Sequence, residues 1–194
     1  MKRICVFAGS SAGGRPAYAE AARELGQALV GRGLGVVYGG GSVGLMGTLA
    51  DAVLAAGGEV IGVIPGPLAR REFAHAGLTR MHVVGSMHER KALMASLVDG
   101  FVALPGGFGT FEETLEVLTW SQLGIHRKPI GLLNVDGYYD GLRRFIAHAV
   151  GEGFVRKEYA GLLIFADAPG ALLEAVMAWR PPDIGRVWLD VTQT

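Results

Sequence analysis

Apolar residues come along this chain in short consecutive runs, separated by longer stretches in which they recur at helical spacing. The runs predict strands at 3–9 (RICVFAG), 34–40 (LGVVYGG), 59–65 (EVIGVIP), 80–85 (RMHVVG), 100–106 (GFVALPG), 129–134 (PIGLLN) and 162–167 (LLIFAD). Consecutive rather than alternating apolar positions are what a strand needs when both faces of its sheet are covered. The stretches between them, at 16–32, 44–57, 86–98, 110–123, 138–152 and 168–179, read as helices. Strand–helix alternation of this kind implies right-handed βαβ crossovers. The expected fold is therefore α/β, a Rossmann-like open parallel sheet with helices on both faces, as a single domain over 1–194. The tail from Pro181 to Thr194 opens on two prolines and is expected to pack on a partner or to fray.

Composition narrows the function classes. The chain has 194 residues, enough for one domain with a sizeable core. Its 18 basic and 18 acidic side chains cancel, which argues against a nucleic-acid polymer as partner, since that footprint is a basic stripe. No run of 18 apolar residues occurs, so no membrane span is expected, and the apolar stretch of MKRICVFAGSSAGG is too short for a signal peptide. Cys5 is the single cysteine, which rules out an internal disulfide framework and suits a reducing cytoplasm.

In open parallel sheets, ligands sit outside the carboxyl ends of the strands. The loops that hold the chemistry should then be GSSAGG (9–14), GGGSVGLMG (39–47), PGPLARREF (65–73), GSMHERK (85–91) and PGGFGT (105–110). Glycine-rich loops let backbone N–H groups approach an anion closely. GGGSVG matches the dinucleotide fingerprint through Gly39, Gly41 and Gly44, with Glu59 twenty residues on. That fingerprint belongs after the first strand, however, and its acid belongs at the carboxyl end of the next one. Glu59 precedes its apolar run instead, which weighs against a nicotinamide site. The same loop lacks the lysine of a P-loop. Tight strand–helix packing and a wall of a nucleotide pocket both remain open for it.

PGGFGT is the stronger signal. Gly106, Gly107 and Gly109 lead into a helix whose first N–H groups lack intrahelical partners and whose dipole favours an anion, with Thr110 adding a hydroxyl. The bland alternative is a capping box over Thr110–Glu113, in which Glu113 reaches back to the cap. A phosphate would compete with a carboxylate folded onto that turn. The two readings coexist only if Glu113 leans away, toward the part of a ligand beyond its phosphate. In GSMHERK, Arg90 and Lys91 fall near the start of the next helix, as a solvated face or as a planar fork and a point charge for a ligand. Arg70, Arg71 and Glu72 fit a lid edge or a charged surface loop. The five histidines show no metal-ligand spacing, and neither a nucleophile elbow nor a cysteine–histidine pair is present. No metal and no cofactor are expected.

PGGFGTFEE fits the pattern PGGxGTxxE, and MHERK, beginning 18 residues upstream, fits its companion motif. Together they resemble the LONELY GUY (LOG) family, the cytokinin riboside 5′-monophosphate phosphoribohydrolases. The resemblance extends through FAGSS, YGGGSVGLMG, VIGVIP, TWSQLGIHRKPIGLLNVDGYYD and the GF at 153–154, nearly the whole chain. It implies hydrolysis of the N-glycosidic bond of an N6-modified adenosine 5′-monophosphate, or of AMP itself. The products would be free base and ribose 5-phosphate. Relatives have also been labelled lysine decarboxylases, a label implying a pyridoxal phosphate lysine. Of Lys2, Lys91, Lys128 and Lys157, only Lys91 lies in a candidate site loop.

By matching motif, the resemblance makes Arg90 and Glu113 the catalytic pair. It makes Glu72, Lys91, Gly107, Phe108, Gly109, Thr110, Phe111, Glu112 and Thr119 substrate contacts. Glu113 would serve the ribose, where an oxocarbenium-like charge develops, while Arg90 fixes the substrate and keeps Glu113 ionised. The family also implies a homodimer with its sites near the subunit boundary. The helix carrying Leu115, Leu118, Trp120 and Leu123 has apolar surface to spare for that contact. Two other readings stand beside this one: a nucleotide-binding module without hydrolysis, and an AMP nucleosidase with no cytokinin role.

Overall fold

The computed structural model describes residues 1–69 and 74–182. Seven strands form one parallel sheet: β1 (Arg3–Phe7), β2 (Gly35–Tyr38), β3 (Val60–Pro65), β4 (Arg80–Val84), β5 (Gly100–Ala103), β6 (Ile130–Leu133) and β7 (Leu163–Ala166). Their spatial order is β4-β3-β2-β1-β5-β6-β7, and every pairing is parallel. The expected strands and the Rossmann-like architecture are thus borne out. Six of the eight α-helices in the described residues match the expected ones: α1 (Pro16–Val30), α2 (Gly44–Ala55), α4 (Met87–Ser96), α5 (Phe108–Leu123), α6 (Asp140–Gly151) and α8 (Pro169–Ala178). The other two, α3 (Gly66–Ala69) and α7 (Lys157–Ala160), have only four residues each, too few for a periodic signal.

The period of two sorts each strand's residues between two cores. Ile4, Val6, Val36, Tyr38, Val102 and Leu104 face a layer built by α1, α2 and α8. Cys5, Phe7, Val37, Ile61, Phe101 and Leu132 face the layer of α4, α5 and α6. Packing, rather than capping, holds α1 in place. Its N-cap Arg15 makes no side-chain capping bond, a loss of about 1 kcal/mol. Full burial of Leu25 and Leu29 contributes roughly 1.5–3 kcal/mol each and outweighs it.

The strand order places a switch point between β1 and β5. From β1 the chain winds outward to β4, then returns to lay β5 on β1's other side. The loops after β1 and β5 therefore meet at one crevice, with α1 and α5 leaving on opposite faces. The meeting is close: Gly9 N–H donates to the Pro105 carbonyl at 3.1 Å.

Candidate active site

The first turn of α5 is left open. Its N-cap is Gly107, so no side chain caps the helix, and Phe111 N–H makes the first intrahelical bond, to Gly107 O at 3.0 Å. Among the described residues nothing accepts from the N–H groups of Phe108, Gly109 or Thr110. Cβ atoms added at Gly107 and Gly109 would meet only open space. Gly106 differs, because a Cβ there would lie 2.1 Å from Thr110 Oγ1. Only glycine lets Thr110 close onto the loop, where it is 3% exposed.

This geometry corrects the capping-box expectation. α5 begins at Phe108, two residues earlier than its hydrophobic pattern suggested, so Thr110 is its third residue and not its cap. Glu113 does lean away. Its Oε1 stands 3.0 Å from Arg90 Nη2, and both side chains are only about a tenth exposed. The side-chain cap of this region belongs to α4, with its glutamate reaching one residue past the cap. Ser86 Oγ accepts from Glu89 N–H at 3.1 Å, and Glu89 Oε2 accepts from Gly85 N–H at 2.7 Å. Ser86-Met-His-Glu89 has the S-x-x-E spacing that could have revealed it.

Burial pushes the Glu113 carboxyl above the usual carboxylate range; Arg90 pulls the other way, and Glu112 pushes up again. Burial wins, so the Glu113 pKa stays raised and Arg90 offsets only part of that shift. Arg90 reaches Glu113 past Gly39, immediately after β2, where a Cβ would sit 2.2 Å from Arg90 Nη2. The guanidinium Nε is buried without an acceptor among the described residues. GGGSVG thus forms a wall behind the guanidinium. It is no dinucleotide site, because the N–H groups of Leu45 and Met46, at the start of α2, already donate to the Gly9 carbonyl at 3.0 and 3.4 Å.

The other expected contacts separate. Lys91 Nζ lies between Glu112 Oε1 (2.6 Å) and Glu116 Oε1 (2.8 Å), tying α4 to α5. Burial opposes its charge, yet the two carboxylates outweigh that and raise its pKa. Phe108 is 91% exposed on the open first turn, and Phe111 stacks on Tyr138 at 6.5 Å. Thr119 is exposed two turns beyond Glu112 on the same helical face, its hydroxyl bonded to Leu115 O at 2.8 Å. The structure brings it into no contact with Arg90 or Glu113. Glu72, Arg70, Arg71 and the tail from 183 onward lie outside the described residues.

Tyr138 and Tyr139, after β6, escaped the sequence reading. Tyr138 OH donates to the Gly106 carbonyl, and Tyr139 OH donates to Leu104 O at 2.7 Å. Both bonds cross from one strand's loop to another's, so no local spacing announces them.

A helix start left open at the switch point, with a carboxylate and a guanidinium just beyond it, is placed where Rossmann-like α/β proteins bind ligands. Comparison with known proteins narrows this. A family model described as "Possible lysine decarboxylase" matches residues 46–176. A rice (Oryza sativa subsp. japonica) protein named probable cytokinin riboside 5′-monophosphate phosphoribohydrolase LOGL5 is 53% identical over 192 residues, 99% of this chain and 78% of the rice one. The Arabidopsis thaliana cytokinin riboside 5′-monophosphate phosphoribohydrolase LOG7 is 52% identical over 181 residues, 93% of this chain and 83% of its own. Among solved structures, the molybdenum cofactor carrier protein of Chlamydomonas reinhardtii superposes with a TM-score of 0.70 at 25% identity, covering 92% of this chain and 99% of that one. The chain belongs to the LOG family of cytokinin riboside 5′-monophosphate phosphoribohydrolases.

The decarboxylase description does not fit the residues. A Schiff-base lysine needs an amine that loses its proton readily. Lys91, the one lysine in the candidate site loops, is instead held as an ammonium by two carboxylates. Burial does lower the pKa of Lys128, but that residue lies outside those loops and its Nζ donates to the Ala95 carbonyl at 2.7 Å.

Proposed function

We propose that the chain hydrolyses the N-glycosidic bond of adenosine 5′-monophosphates, N6-modified as in cytokinin ribotides or unmodified, releasing the free base and ribose 5-phosphate. The observation that carries this reading is the buried Arg90–Glu113 pair, 3.0 Å apart, in which Glu113 rides on the helix whose open start can seat a phosphate. The 5′-phosphate binds the N–H groups of that first turn. The ribose then extends toward Glu113, five residues along α5 from Phe108.

As the C1′–N9 bond breaks, its electron pair leaves with the purine and positive charge spreads over C1′ and the ring oxygen. The Glu113 carboxylate stabilises that charge and accepts a proton from the water whose oxygen bonds to C1′. The departing purine takes up a proton from solvent and Glu113 returns the one it gained, so a single water is divided between C1′ and the base. Arg90 cannot serve as a base. It holds Glu113 in place and offers its remaining donors to the substrate.

The finer assignments in this reading are a cytokinin role, a cytoplasmic setting, one domain over 1–194 and a homodimer. Support for the dimer is the 43% exposed Leu115, together with a groove of about 670 Å³ between α4 and α5 that Ala92, Ala95 and Trp120 line. Light scattering at micromolar protein tests it: a mass near 20.4 kDa with full activity overturns the dimer. Incubation with AMP and with isopentenyladenosine monophosphate, followed by quantification of released base, tests the reaction. Turnover of AMP alone selects the nucleosidase reading. Binding without release selects the nucleotide-binding module without hydrolysis, a reading supported by the likeness to the molybdenum cofactor carrier.

A further inference from the structure

Each peptide unit is planar, and none in the described residues is cis, so the carbonyl of one residue and the N–H of the next point in opposite directions. Tyr138 OH donates to the Gly106 carbonyl. That bond aims Gly107 N–H away from Tyr138, and no acceptor among the described residues takes it. Gly107 is the N-cap of α5, so its amide adjoins the N–H groups of Phe108, Gly109 and Thr110. Without an anchor on its carbonyl, the peptide between two glycines would rotate with little resistance.

The anchor is itself braced. The Tyr138 ring stacks on Phe111, with 6.5 Å between centroids, and meets Tyr18 and Tyr139 edge-on at 5.7 and 5.0 Å. The neighbouring Tyr139 is fixed at both ends, its N–H donating to Asn134 Oδ1 at 2.7 Å and its hydroxyl to Leu104 O. Asn134 in turn donates to Asp140 and Asp167, each at 3.1 Å. A chain of contacts thus runs from the ends of β6 and β7 to one carbonyl beside the anion seat. Tyr138 is still 36% exposed, more than a side chain kept only to fill the core.

We propose that Tyr138 is a positioning residue for phosphate recognition: by holding the Gly106 carbonyl it presents Gly107 N–H to the 5′-phosphate, adding a further donor to the seat. This rests on the nucleotide 5′-monophosphate reading above. Tyr138→Phe keeps the ring and its stacking and removes only the hydroxyl. In the full chain, KM for AMP should rise about tenfold while kcat changes less than about twofold, the size expected when one hydrogen bond at a remote anion is lost. The slow turnover of adenosine, which has no phosphate, should not change.

Calorimetry with inorganic phosphate and with ribose 5-phosphate gives a readout independent of turnover. Both ligands should bind more weakly to Tyr138→Phe, and the phosphate-induced shift of the Gly107 amide resonance should shrink. Unchanged affinity for both ligands, or equal losses for AMP and adenosine, overturns the proposal. An inactive wild-type protein that still loses phosphate affinity on Tyr138→Phe would sink the hydrolase reading and leave the positioning role standing.

Discussion

Gly39 and Arg90 occupy a space that has room for only one side chain: a Cβ on Gly39 would stand 2.2 Å from Nη2 of Arg90. Gly39 does not adopt the positive backbone angle that favours glycine, so alanine strains nothing in the chain there. Replacing glycine at such a site stabilises by about 0.4–1 kcal/mol through the unfolded state. Gly39→Ala should displace the guanidinium from Glu113, so that small gain is set against a buried carboxylate left without its partner, and the melting temperature should fall. We expect kcat/KM to drop by about 10²-fold, as a misplacement near 1 Å can produce. Full activity in this variant would show that Arg90 works from another position.

Glu113→Gln keeps the shape and removes the charge. Base release should fall by at least about 100-fold, because a carboxylate facing developing positive charge is a large part of such catalysis. In the parent protein, burial raises the Glu113 carboxyl, so the acid limb of kcat/KM should lie above the ordinary carboxylate range. Activity is then present above that raised value and lost as the pH falls through it. A pH–rate profile flat down to the range of free glutamate would contradict this assignment.

The open start of α5 predicts a steep preference for the ribotide. Adenosine should have a kcat/KM at least about 10²-fold below that of AMP, since binding energy at a remote phosphate positions the bond that breaks. Ribose 5-phosphate should compete with AMP. Equal kcat/KM for the two substrates would remove the anion seat from the mechanism.

His126 sets a limit on acid stability. Its Nε2–H donates to Val117 O at 2.9 Å, and its Nδ1 accepts from Lys128 N–H at 3.2 Å, so the neutral ring satisfies both partners. Burial pushes its pKa down to about 4. A histidine depressed in the folded state stabilises fully above its unfolded value near 6.5. That contribution is lost as the pH falls from there toward about 4, by up to about 3 kcal/mol. Denaturant titrations at pH 7 and pH 4.5 should show the loss, and His126→Gln should flatten it. An unchanged pH dependence in that variant would assign the acid sensitivity to other groups.

The strands and long helices were legible because a doubly covered parallel sheet needs consecutive apolar residues, and runs such as Ile4 to Phe7 supply them. The motif resemblance singled out Arg90 and Glu113, and the fold brings the two within 3.0 Å of each other. The start of α5 was not legible: Gly107 caps it through backbone alone, whereas Thr110 offered a conspicuous side chain at the wrong position. Local spacing likewise could not show that Lys91 would be enclosed by Glu112 and Glu116, which lie on a different helix. Gly39 and Tyr138 were hidden for a related reason. Each acts on a residue tens of positions away, and only the fold brings the two together.

The Gly9 carbonyl, seated on the start of α2, gives this fold two glycine-rich helix openings with opposite behaviour toward solvent. In deuterated water the amide protons of Leu45 and Met46 should persist, since the first loop shields them whether or not a ligand is present. Those of Phe108 and Gly109 should vanish quickly in the ligand-free protein and persist only once an oxyanion covers them. One helix opening therefore serves as an internal clock for the other. The ratio of their exchange rates reports how much of the α5 seat is occupied, without a label, a mutation or turnover.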